Sequence, residues 1–189
     1  ESIDVSLSLN LVKKKEKFNL RTVANLPNGN GKKIRVAVLC EENRIVEAKN
    51  SGADLFDSEA LINDITTGKI NFDNLIATPA MMSKMGKLGK ILGPKGLMPN
   101  PKLGTVTNNV QSTVKALKSG QIEIKNDEDA NVGVSIGKKS FSNSKIKENF
   151  NSLISAILKE KPNGIKGDFI LSAFLTSTMG ISYKLKLEK

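Results

Sequence analysis

Pro27-Asn28-Gly29-Asn30-Gly31-Lys32-Lys33-Ile34-Arg35-Val36-Ala37-Val38-Leu39-Cys40 is where the chain changes its grammar. The Gly/Asn cluster at its start is the punctuation of a turn or linker. The run Ile34 to Leu39 that follows is apolar apart from Arg35, as in a strand buried on both faces of a parallel sheet. Upstream, Ile3, Val5, Leu7, Leu9 and Leu11 alternate with Ser2, Asp4, Ser6, Ser8 and Asn10, the period of two of a strand with one wet face. After a charged turn, Lys13 to Lys17, the alternation returns in Phe18, Leu20, Thr22 and Ala24, and the two runs are read as an antiparallel hairpin.

Downstream of the break, helical and strand patterns take turns. Ile45 to Asn50 reads as a short helix before Ala53-Asp54-Leu55-Phe56, and Glu59, Leu61, Ile62 and Ile65 mark another before Leu75-Ile76-Ala77. Thr78-Pro79 is a helix start, since a hydroxyl can cap free amides while proline sits where no amide proton is needed. The helix from Pro79 puts Met81, Met85, Leu88 and Leu92 on one face, and a further helix runs from about Asn109 to Lys118 and stops at Gly120. This block is expected to be a small α/β domain with right-handed crossovers. From Gln121 the alternating style resumes in Ile122 and Ile124, in Val132, Val134 and Ile136, and in Ile181, Tyr183, Leu185 and Leu187. One long helix interrupts it, with Ile146, Phe150, Leu153, Ile154, Ile157 and Leu158 at helical spacing and Pro162 with Gly164 as its stop. Strand-rich ends around an α/β middle predict a discontinuous domain, 1–29 with 121–189, and an inserted domain, 30–120.

Lys and Arg number 29 against 19 acids, a net charge of +10 with an isoelectric point near 9.6, which points to a polyanionic partner. A membrane surface is the rival, but no apolar run approaches the roughly 18 residues of a spanning helix. With no His and only Cys40, the chain cannot build a Ser-His-Asp triad, a Cys-His pair or an ordinary zinc site. Cys40 reads as a reduced core thiol. A chain opening at Glu1 without Met is expected to lack an N-terminal piece.

Between Asn74 and Ile122 stand seven lysines and no Asp or Glu, so this part of the middle block should project a positive field. A phosphate-binding P-loop is excluded by the absence of its Gly and Lys-Ser/Thr spacing. No dinucleotide turn follows the first middle strand, where Cys40-Glu41-Glu42-Asn43 would repel a pyrophosphate. An enzyme acting on nucleotides or sugar phosphates through the middle block therefore loses its best argument, and no cofactor or metal is expected. The acid pairs Glu41-Glu42 and Asp127-Glu128-Asp129 read as surface turns.

The stretch Leu88-Gly89-Lys90-Ile91-Leu92-Gly93-Pro94-Lys95-Gly96-Leu97-Met98-Pro99-Asn100-Pro101-Lys102 resembles the signature of the ribosomal protein L1 family, bacterial type. Flanking segments agree along essentially the whole chain, among them Ser51-Gly52-Ala53-Asp54, Gly104-Thr105-Val106, Gly120-Gln121-Ile122-Glu123, Ile136-Gly137-Lys138, Lys166-Gly167 and Thr176-Ser177-Thr178-Met179-Gly180. Leu11 to Arg21 departs from the family pattern, and Asn28 stands where a His is customary.

That resemblance implies a split α+β domain from both termini with an inserted Rossmann-like three-layer α/β domain that holds no nucleotide, and no enzymatic activity. It implies that the split domain binds large-subunit rRNA of the 23S type to form the mobile stalk that takes part in exit-site tRNA release. It also implies repression of the protein's own operon mRNA, and a monomer in the ribosome of a bacterial cytoplasm, mitochondrion or plastid. Carried over residue by residue, the RNA contacts are Thr178, Met179 and Gly180, with Thr176, Ser177, Lys138 and Lys166 beside them. The bland alternative makes Thr178-Met179-Gly180 only a tight turn between strands. Electrostatics alone points instead to the middle-block lysines, which would face tRNA or distal rRNA.

Overall fold

The computed structural model describes residues 1–10, 20–56, 58–162 and 167–186. In chain order its elements are β1 (Ser2–Leu9), β2 (Arg21–Asn25), β3 (Val36–Leu39), α1 (Ile45–Asn50), α2 (Ser58–Thr66) and β4 (Asn74–Ala77). There follow α3 (Met82–Met85), α4 (Gly89–Leu92), α5 (Val110–Ser119), β5 (Gln121–Lys125), β6 (Asn131–Lys138), α6 (Asn143–Lys159), β7 (Ile170–Ser177) and β8 (Tyr183–Leu185). The chain is a mixed helix and strand protein that separates into two compact units, Glu1–Lys32 with Ser119–Lys189, and Lys33–Lys118.

In the split unit β1 is a central strand, paired antiparallel with β6 on one side and with β7 on the other, and β8 joins β7 at the edge. The expected hairpin of the first two runs does not form: β2 pairs with β5 in a separate two-stranded sheet, Ala24 opposite Ile122. Alternation dictates which face of a strand is buried and leaves its partner open, and here both edges of β1 are taken by strands from the far end of the chain. Leu11, the turn Lys13 to Lys17, Phe18, Gly164 and Leu187 lie outside the described residues. Strand β7, which the alternation in sequence left unmarked, supplies Ile170 and Ala173 to the core.

That core gathers Val5, Leu7 and Leu9 of β1, Val132, Val134 and Ile136 of β6, Leu20, Ala24 and Ile124, and Leu153 and Ile157 of α6. Each fully buried aliphatic side chain contributes about 1.5–3 kcal/mol. The buried stripe of α6 is Asn149, Leu153 and Ile157, four residues apart, whereas Leu158, expected on the apolar face, is exposed. Asn149 is fully buried because its amide is fully used: Oδ1 accepts from Asn28 N at 3.1 Å, and Nδ2 donates to Gly29 O at 2.9 Å and Ile136 O at 2.8 Å. It thereby pins the Leu26–Gly29 segment to the sheet. Close by, a Cβ on Gly120 would collide with Gly29 Cα and Leu26 O, so two backbone segments meet where only glycine fits.

The other unit is built on β3 and β4, which pair in parallel, with single parallel bridges from Leu55 to Ala37 and from Val106 to Ala77 on the outer edges. Alternate residues feed opposite faces. Ala37, Leu39, Leu75 and Ala77 pack with Leu61, Ile65, Met85, Leu88 and Leu92, while Val36, Val38, Cys40 and Ile76 pack with Ala48, Val110, Val114 and Leu117. From Pro79 to Leu92 the backbone keeps one right-handed helical path, but 3-10 turns at Pro79–Met81 and Gly86–Leu88 divide it. Glycines at 86 and 89 weaken α-helix here, and a tighter pitch takes over. Thr78 stands extended at the start as expected, yet its hydroxyl caps nothing and is buried without a hydrogen-bond partner. Burial pushes the Cys40 thiol above its ordinary range, against the Ser58 hydroxyl beside it.

Candidate functional site

At one end of the four-stranded sheet, β6 finishes, β1 begins and β7 finishes side by side, because Ser2 pairs with Lys138 and Ile3 pairs with Ser177. Strand spacing puts the Lys138 and Ser177 backbones roughly 10 Å apart with Ser2 between them. Thr178 is tied to Ser2 by both main and side chain: Ser2 N donates to Thr178 Oγ1 at 2.9 Å, and Thr178 N donates to Ser2 O at 3.2 Å. The two hydroxyls lie 3.2 Å apart. Ser2, which the sequence reading did not single out, thus sets the rotamer of Thr178.

The Ser177–Gly180 turn is closed by Gly180 N donating to Ser177 O at 3.0 Å, and Thr176 Oγ1 donates to Ser177 O at 3.0 Å. A Cβ on Gly180 would meet Ser177 Oγ, so glycine leaves that hydroxyl its place. With its polar groups satisfied from behind, the turn pushes Met179 outward at 89% exposure, followed by Ile181 at 74% and Tyr183 at 64%. Three large apolar side chains in solvent around one turn are a contact surface in search of a partner. By sequence Ile181 and Tyr183 are only strand residues, and nothing in their spacing distinguishes an edge strand from a covered one.

Lys138 is exposed, and its aliphatic stem passes over Gly31. The neighbouring Lys139 forms an ion pair with Glu1 at 3.6 Å and donates its amide to Glu1 O at 3.1 Å. Lys166 lies outside the described residues. Thr176, Ser177, Thr178, Met179, Gly180 and Lys138 are therefore brought to one rim. Behind the rim the sheet presents a polar face, since register puts Asp4 with Ser135 and Thr176, and Ser6 with Gly133, Phe174 and, through β7, Lys184. Phe174 is half-buried there and belongs to none of the apolar cores. Acids and bases are mixed on this surface, so its grip would come from hydroxyls, amides and apolar contact more than from net charge.

A run of lysines without intervening acids lies in the second unit. Lys84, Lys87, Lys90, Lys95 and Lys102 of the second unit are all exposed, and none is among the ion pairs found between described residues. Among the described residues no group of three His, Cys, Asp or Glu side chains could hold a metal ion. No described helix is long and apolar enough to cross a membrane.

The sequence model of the ribosomal protein L1p/L10e family matches residues 1–181. The chain is 54% identical over 190 residues to the large ribosomal subunit protein uL1 of Pelagibacter ubique, covering 100% of this chain and 83% of that protein. It is 45% identical over 186 residues to uL1 of Rickettsia canadensis, covering 98% and 78%. Against the large ribosomal subunit protein uL1c of Phaeodactylum tricornutum it is 47% identical over 188 residues, covering 100% and 82%.

Proposed function

The chain belongs to the ribosomal protein L1p/L10e family, one of ribosomal proteins and not of enzymes, and from that premise we propose that it is a structural protein of the large ribosomal subunit that binds large-subunit rRNA. In this reading the split unit, 1–29 with 121–189, is the RNA-binding domain and 30–120 is an inserted Rossmann-like domain without nucleotide. The observation that carries it is the rim where Lys138, Ser2 and Thr178 share one row and Met179 projects beyond them. Such a rim suits folded RNA: hydroxyls and amides reach sugar and phosphate oxygens, a flexible thioether packs on a ribose or base, and a small turn admits close approach.

Fixed to rRNA in this way, the protein would form the mobile stalk and meet tRNA leaving the exit site. The same rim would take a matching element of its own operon mRNA, making the protein a repressor of its own translation. It would act as a monomer on a bacterial-type ribosome, in a bacterium or an organelle. Binding to a stalk rRNA fragment tests the premise. Thr178→Ala and Met179→Ala should each weaken it by about 1–3 kcal/mol, and losses within ~0.5 kcal/mol for both would show the rim misassigned.

A further inference from the structure

Two glycines in the second unit are required neither by a left-handed backbone nor by close packing. Gly86 and Gly89 lie on the helical path from Pro79 to Leu92 with φ of −54° and −57°, so neither is there for a left-handed conformation. A Cβ on either would meet nothing within 4 Å, so neither is there for packing. Glycine disfavours an α-helix relative to alanine, and besides the 3-10 turn it admits here it leaves open space over these two residues.

Each glycine precedes a lysine in a three-residue repeat, Ser83-Lys84-Met85, Gly86-Lys87-Leu88, Gly89-Lys90-Ile91. Lys87 stands in the 3-10 turn, with Lys84 and Lys90 in the α-helical turns on either side, so successive lysines are displaced along the path by roughly 4.5–6 Å. Met85 and Leu88 turn into the core, while beside the lysine row Ser83 and Gly86 are exposed and Gly89 is half-buried. On an ordinary solvated helix, lysines alternate with acids three or four places away. Here Lys84 and Lys90 are the charged neighbours of Lys87, and no acid occurs from Asn74 to Ile122. None of the three is among the ion pairs found between described residues, so a polyanion would meet them without competing with a protein partner.

Beyond the row, Lys95 and Lys102 sit on a folded loop. Lys102 N donates to Asn100 Oδ1 at 2.9 Å, Asn100 N donates to Thr105 Oγ1 at 2.8 Å, and Gly104 in the left-handed region ends the turn.

We propose that this glycine-lysine row is a second RNA-binding surface, one that takes the phosphate backbone of a strand without reading its sequence. The lysines neutralise successive phosphates, and the bare backbone at Gly86 and Gly89 lets the sugar-phosphate chain lie close against the helix. The inference is independent of the rim on the split unit.

The test uses the full chain and an oligouridylate RNA over a fourfold rise in salt. Replacing Lys84, Lys87 and Lys90 together by Gln should lower the slope of log affinity against log salt by about 2, at ~0.7 per phosphate contact on a single strand. The charge-matched control, Lys145→Gln with Lys147→Gln and Lys159→Gln on α6, should retain the slope. Equal behaviour of the two triples would overturn the proposal. Gly86→Ala with Gly89→Ala gives a second reading: the melting temperature should rise, since alanine suits this backbone, while oligouridylate affinity falls by about threefold or more. Alanines that stabilise and leave affinity unchanged would refute a role for the open backbone. Displacement of the RNA by polyglutamate at matched charge as readily as by RNA itself would assign the row to an acidic polypeptide and also overturn the claim. A stalk rRNA fragment measured in parallel separates this result from the first reading, because Thr178→Ala would reduce only the tighter binding of that fragment.

Discussion

The two units meet polyanions by different means, if the rim and the lysine row do what their chemistry suits. On the split unit the candidate surface is a strand end whose hydroxyls are already oriented by hydrogen bonds, with Met179, Ile181 and Tyr183 left in solvent and charges of both signs nearby. On the inserted unit it is a line of like charges with bare backbone between them and no apolar projection. The first arrangement discriminates by outline and the second attracts by field. Net charge does not separate the units, since both are basic; what differs is how the charge is arranged.

The sharpest separation of the units would come from their cores. Leu153→Ala should cost the split unit about 3 kcal/mol, and Leu92→Ala should cost the inserted unit a similar amount, since both side chains are fully buried. Calorimetry should show each substitution lowering one transition by roughly 12–24 °C and leaving the other in place. A single transition that moves with either variant would dissolve the comparison. Next in size is Asn149→Ala, which strands the Asn28 amide and the Gly29 and Ile136 carbonyls. About 2–3 kcal/mol should be lost from the split unit alone.

Smaller still is Met179→Ala, which should weaken stalk RNA binding by about 1 kcal/mol with the melting temperature unchanged, as expected of a side chain 89% exposed. Least of all is an acid effect confined to the inserted unit. The Val36 amide donates to Asp54 Oδ2 at 3.0 Å, and this, with Lys118 at 3.1 Å, holds the carboxyl below its ordinary 3.8. A depressed folded value contributes stability above the unfolded one and loses it as pH falls through the folded one. Asp54→Asn should therefore flatten the stability curve of that unit below about pH 4 and leave its neutral plateau lower, which acid melts followed by a probe of the inserted unit would detect.

Much of this was legible in sequence where burial sets the pattern. The polar and apolar alternation of β1 survives as Val5, Leu7 and Leu9 inside, and Ile45–Asn50 is helical as read. Met81, Met85, Leu88 and Leu92 are all buried, as their spacing predicted. What was not legible depends on long-range pairing. No local pattern says that β1 will leave β2 for β6 and β7, that β7 will form at all, or that Asn149 will sit in an apolar stripe because three backbone groups await it. At the candidate site the residues came from the family resemblance, while Ser2, Ile181 and Tyr183 needed coordinates, since their significance is a neighbour or an exposure. The Gly86 and Gly89 signal is of the same kind: a glycine is informative only once the space around it is known to be empty.

The bond between Ser2 and Thr178 spans 176 positions of sequence. A chain emerging from the peptide tunnel would therefore expose its charged middle segment, able to collapse on local contacts, well before the opening strand receives its last partner. The rim is absent from any nascent chain that has not yet released Thr178, so whatever contact it makes must wait for strands far apart in sequence to meet.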